Sequence, residues 1–218
     1  MKRIVLLLLA VFSLAPAAHA AVVPADVVTV ATVNASGPVI DVPVYIRDVS
    51  GTPLGVDQPP GSRIQSYSIK VNYAPASAVQ SITFTRAGIT APLTPTFETT
   101  PSSPGSISLL DTFQESTNPI PFTSNGAVPG NQIGHLTVTL APSAIPGTVI
   151  TLTVDPTLTQ LTDEGGNGAT KESVANANLL LVNGQITVAP AAIIPAMSGW
   201  MLVLLGGMLA VVALSIRR

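Results

Sequence analysis

Ser66-Tyr67-Ser68-Ile69-Lys70-Val71-Asn72-Tyr73 places Tyr67, Ile69, Val71 and Tyr73 in strict alternation with Ser66, Ser68, Lys70 and Asn72. Alternation with a period of two marks a strand with one buried face and one wet face. The pattern returns at Leu136, Val138 and Leu140 against His135, Thr137 and Thr139, and at Ile150, Leu152 and Val154 against Thr151 and Thr153. Apolar and β-branched runs predict further strands over 27–33, 39–49, 79–86, 106–110, 179–182 and 185–188. The total is about nine short strands, with no helical apolar period before the C-terminal tail. A half-wet sheet must bury its apolar face on another layer, so a two-sheet sandwich is expected.

The segments between strands are rich in proline and glycine, notably 51–61, 92–105 and 118–130. Proline fixes φ and removes a donor, which assigns these segments to surface loops. Asn183-Gly184 predicts a tight hairpin between the last two strands.

The two ends carry a different message. Lys2-Arg3, the apolar run from Ile4 to Leu14, and Ala18-His19-Ala20 have the layout of a secretory signal, with cleavage expected after Ala20. At the other end, Met197 to Ile216 is uncharged and long enough to span a bilayer; Trp200 stands at an interfacial position and Arg217-Arg218 close the chain. Both features give one topology: residues 1–20 a signal peptide, 21–190 one exported domain, 191–218 a C-terminal membrane segment.

The exported region contains all eleven acidic residues against five basic ones, a net charge of −6. That balance disfavours a nucleic-acid partner, which needs clustered Lys and Arg. Cysteine is absent, so disulfides, thiolate metal sites and cysteine nucleophiles are excluded.

Chemistry-bearing residues are sparse. His135 is the one histidine after the signal, on the polar face of a predicted strand, with no Gly-x-Ser-x-Gly elbow and no second histidine at metal-binding spacing. No catalytic residue is assigned, and no enzyme activity is expected. Glu98, Asp111 and Glu115 fall in or near long loops without visible pairing, although a glycosidase pair can be assembled by folding. Asp163-Glu164-Gly165-Gly166-Asn167-Gly168 makes Asp163, Glu164 and Asn167 candidate calcium ligands, although the same residues suit a plain turn. Phe97, Phe113 and Phe122, in or near loops, are candidate sugar-stacking rings; no required cofactor is expected.

Pro195, Ser198 and Trp200, followed by an apolar stretch ending in Arg217 and Arg218, resemble the IPTL-type C-terminal sorting signal of Gram-negative bacteria. The resemblance implies membrane sorting machinery as a partner and display on the outer face of an envelope membrane or at the cell surface. Ala196 and Met197 replace the usual Thr-Leu and Gly199 replaces an acidic residue, which leaves open whether the tail is cut or only anchors.

The serial order of five further elements resembles a cohesin domain: Pro38 to Gly51, Ile64 to Pro75, Gly134 to Leu140, Ala144 to Val154 with Pro146-Gly147, and Asn183 to Val188. The resemblance implies an all-β, cohesin-like jelly-roll β-sandwich of about nine strands, here followed by one C-terminal transmembrane helix. Cohesins are related to carbohydrate-binding modules and dock dockerin-bearing partners in polysaccharide-degrading assemblies. By that resemblance the partner is a dockerin-like protein or a polysaccharide, and Ser66, Ser68 and Lys70 are candidate contacts; the alternative is a lectin-like or structural surface protein with no dockerin partner. Ala74 stands where the family usually has Asp before the proline.

Overall fold

The computed structural model describes residues 23–163 and 170–190. The described residues form β1 (Asp26–Val30), β2 (Thr32–Ala35), β3 (Val39–Arg47), β4 (Ser66–Ala74), β5 (Val79–Arg86), β6 (Phe97–Thr99), β7 (Ser102–Ser103), β8 (Ser106–Thr112), β9 (Asn131–Leu140), β10 (Val149–Val154), β11 (Gln160–Thr162), β12 (Lys171–Ser173), β13 (Leu179–Val182) and β14 (Gly184–Val188). One sheet has the order β13-β1-β3-β9-β5. The second runs β12-β11-β4-β10-β14-β2, with β8 on the other edge of β4 and β6 and β7 paired to β8.

Alternation decides which side chains fill the space between the sheets. Val28, Val42, Val44 and Ile46 from the first sheet meet Ile69, Val71, Leu109, Leu152 and Ile186 from the second, all fully buried. Each such aliphatic side chain contributes roughly 1.5–3 kcal/mol by leaving water. Tyr67 and Phe113 close one end of this core, their ring centroids 6.4 Å apart.

The all-β sandwich expected from the pattern is present, with three differences. The segment 27–33 is two strands, because the chain leaves the first sheet at Ala31 and enters the second as β2. The short strands β6, β7, β11 and β12 add to the predicted set. Asn183-Gly184 is not a hairpin, since β13 pairs in parallel with β1 while β14 pairs in parallel with β2 in the opposite sheet. The first and last parts of the sandwich therefore cross from one sheet to the other side by side.

These pairings also orient the molecule. β14 runs with β2, and the Ala189 N–H donates to the Ala35 carbonyl, so the described chain ends beside Ala35. The loop after β3 lies at the opposite end, next to Asp26, because β3 returns antiparallel to β1. Among the described residues no helix is long and apolar enough to cross a membrane. The signal-cleavage residue Ala20 and the tail residues Pro195, Ser198, Trp200, Arg217 and Arg218 lie outside the described residues.

Candidate functional site

β4 is the centre of the second sheet, and its outward phase is set by the same alternation that buries Tyr67, Ile69, Val71 and Tyr73. Register places Ser68 opposite Leu110, Lys70 opposite Ser108, and Asn72 opposite Ser106 on one side and Thr153 on the other. The outer face thus joins Ser68, Lys70 and Asn72 to the hydroxyl rows of β8 and β10. Lys70 is its one basic residue among the strands β4, β8 and β10.

Ser66 shares this phase but is only 7 % exposed. Its hydroxyl lies 2.7 Å from that of Thr112 and donates to the Asp111 carbonyl at 3.1 Å. The open part of the predicted contact strip is therefore Ser68 and Lys70, and Ser66 serves to hold β4 to β8.

A turn over 155–159 rises beside Lys70, between β10 and β11, which pair successively along one edge of β4. The Asp155 N–H donates to the Lys70 carbonyl, and the Lys70 N–H donates to the Thr159 hydroxyl. Asp155 Oδ1 accepts from the Thr157 N–H and hydroxyl and from the Leu158 N–H, while Oδ2 accepts from Asn72 Nδ2 at 3.3 Å. The Thr157 hydrogen bonds hold the Asp155 carboxyl below the usual carboxylate range. The turn leaves Leu158 52 % exposed at the edge of the face, with Phe97 of β6 54 % exposed at the opposite edge. Hydroxyls and amides, one cation and two apolar edge residues on one face can receive a partner.

Phe113 and Phe122 are buried and unavailable for stacking on a sugar. His135 sits on the outer face of the other sheet, its Nε2 3.8 Å from Asp41 Oδ1, and Asp41 also accepts from the Thr137 hydroxyl. Glu98 pairs with Arg86 at 2.9 Å, and Glu115 lies 3.5 Å from Arg63. Asp111 is directed between the sheets and accepts from the Tyr67 hydroxyl. Burial pushes the Asp111 carboxyl up to about 6. At 1 % exposure Asp111 cannot reach a substrate.

Of the candidate calcium loop, Asp163 is described, whereas Glu164 and Asn167 lie outside the described residues. Sequence reasoning did not single out a second acidic group, Asp26, Asp48 and Glu172, all fully buried at the end of the sandwich near the loop after β3. Among the described residues no set of three or more Asp, Glu, His or Cys is arranged to hold a metal ion.

No family profile and no curated protein matches the sequence. Solved structures do match. The complex of CaDoc0917 with CaCohA2, the latter from Clostridium acetobutylicum, gives a TM-score of 0.51 at 23 % identity over 75 % of this chain and 99 % of that one. The third cohesin of ScaC, solved with the ScaB dockerin, from Acetivibrio cellulolyticus, gives 0.50 at 19 % identity with the same coverages. A type I cohesin–dockerin complex from Clostridium thermocellum, Coh-OlpA-Doc918, gives 0.51 at 12 % identity, again over 75 % and 99 %. At these identities the likeness concerns architecture, and the described chain has the cohesin-like β-sandwich fold.

Proposed function

We propose that this chain is a non-catalytic, exported docking module that receives a dockerin-like protein on the outer face of β4, β8 and β10, centred on Ser68 and Lys70. The observation that carries the reading is the match of the whole sandwich to cohesins, two of them solved in dockerin complexes, taken with the open polar face. Leu158 and Phe97 would supply apolar contacts at its edges, and Lys70 a charged contact that an acidic partner surface would favour. Residues 1–20 would direct export and 191–218 would hold or sort the chain at the outer face of a Gram-negative envelope membrane. The described chain ends beside Ala35, whereas the Ser66 end of β4 lies toward the opposite end of the sandwich. A tail anchored beyond residue 190 would leave the docking face accessible.

A second reading, favoured by the exposed Phe97 ring beside the hydroxyls of β8, is direct binding of polysaccharide, linked to polysaccharide breakdown by the same class of assemblies. The test is capture from the exported fraction of the source cells with the purified chain as bait, followed by mass spectrometry. A captured protein carrying a dockerin module, lost with Lys70→Glu, supports docking; retention on polysaccharide that needs Phe97 and no protein partner overturns it.

A further inference from the structure

Asp26, Asp48 and Glu172 reach the same end of the sandwich from β1, from the residue after β3 and from β12, and all three are fully buried. Each gives one oxygen to the backbone of a single loop. Asp26 Oδ1 accepts from the Val49 N–H at 2.7 Å, Glu172 Oε1 from the Leu54 N–H at 2.9 Å, and Asp48 Oδ2 from the Val56 N–H at 2.9 Å. The other oxygens, Asp26 Oδ2, Glu172 Oε2 and Asp48 Oδ1, are buried without an ordinary donor.

Asp26 and Glu172 nevertheless lie within hydrogen-bonding reach of each other. Two ionised carboxylates only accept, so a bond between them requires a proton on one. Among the described residues no cation offsets the charge instead. The groups facing the pair are Asp48, itself beside Asp57, and the Thr52 hydroxyl. β13 carries no ionisable residue, Lys171 of β12 is exposed, and the Arg47 guanidinium donates to the Gly126 carbonyl.

We propose that Asp26 and Glu172 share one proton and form a pH-sensitive latch that holds the loop over 48–56 onto the sandwich. A shared proton gives the pair a hydrogen bond and avoids burying two adjacent charges, which would be costly. Burial first, and then Glu172, pushes the Asp26 carboxyl up to about 9 from 3.8, which makes Asp26 the proton carrier. A folded value above the unfolded one stabilises fully below 3.8, and that stabilisation is lost as pH rises through about 9. Glu172 is raised too, so its contribution has the same sign. The latched loop continues through Ile64 and Gln65 into β4, so its release would free the segment that enters the docking strand.

The test uses the full chain and two readouts between about pH 7 and about pH 9, above the range in which Asp111 titrates: the melting temperature, and exchange of the Val49, Leu54 and Val56 amides corrected for intrinsic rates. In the wild type both the melting temperature and the protection are expected to fall as pH rises. Asp26→Asn keeps the acceptor for Val49 and a donor toward Glu172 without the charge, and should flatten both profiles; Glu172→Gln serves if that variant does not fold. A wild-type melting temperature that is level or rising over this range overturns the proposal. So does a rise on adding about 1 mM calcium at alkaline pH that vanishes in Asp26→Asn, which would make the pair metal ligands.

Discussion

Gly184 stands so close to Ala31 that a Cβ at position 184 would lie 2.2 Å from the Ala31 carbonyl oxygen. Both residues mark the point where a chain segment passes between sheets, β1 into β2 at one and β13 into β14 at the other. The absence of a side chain, rather than any hairpin, is what the glycine supplies. We expect Gly184→Ala to cost about 1–3 kcal/mol or more through overpacking against backbone that cannot yield. Gly37→Ala, with open space around it, should leave the melting temperature unchanged, and thermal melts of the two variants check this.

The Tyr67–Asp111 pair should report on the interior beneath the docking face. Tyr67→Phe removes the donor to Asp111 Oδ2 and leaves both carboxyl oxygens unpaired, since Oδ1 already lacks a partner. The expected loss is about 1–3 kcal/mol, measured by denaturant unfolding.

Asp111 also has a pH signature. Its folded value, about 6, exceeds 3.8, so its stabilisation is complete below 3.8 and lost as pH rises through about 6. Asp111→Asn should therefore reduce the decline in stability across that window, which a series of melts from acid to neutral pH would show. A steeper decline in the variant would contradict the buried, proton-retaining carboxyl.

Lys70→Glu should leave the melting temperature within about two degrees of wild type, because surface substitutions away from special features are usually within ±0.5 kcal/mol. Its effect should appear in partner affinity, as a loss of roughly tenfold or more if Lys70 is a central charged contact. Asp155→Ala should act on the same binding by releasing the turn that presents Leu158, since that carboxyl accepts from Thr157 and from Leu158. Titration calorimetry with the captured partner checks both variants.

Much of the sandwich was legible because its long strands alternate. β4 and β5 appear where the alternation from Tyr67 to Tyr73 and the apolar, β-branched run over 79–86 put them. The two- and three-residue strands β6, β7, β11 and β12 are too short to express a period, and only their pairing defines them: β6 and β7 on β8, β11 on β4, and β12 on β11. Asn183-Gly184 misled because the dipeptide that favours a tight turn is used here otherwise: Gly184 for close approach, and Asn183 Oδ1 to accept from the Val154 N–H. At the candidate site, the outward phase of Ser68 and Lys70 could be read locally, but the covering of Ser66 by Thr112 could not. The Asp26–Glu172 pair was invisible for a related reason, since the Glu172–Leu54 contact joins residues 118 positions apart.

The most direct test of the docking account is hydrogen exchange on the purified chain with and without the dockerin-bearing protein captured from its own cells. The account predicts added protection confined to 68–72 of β4, 106–110 of β8, 151–154 of β10, the turn over 155–159 and the edge strand β6. Protection on the opposite sheet around His135 and Thr137, or no stable complex with any such protein, would contradict it.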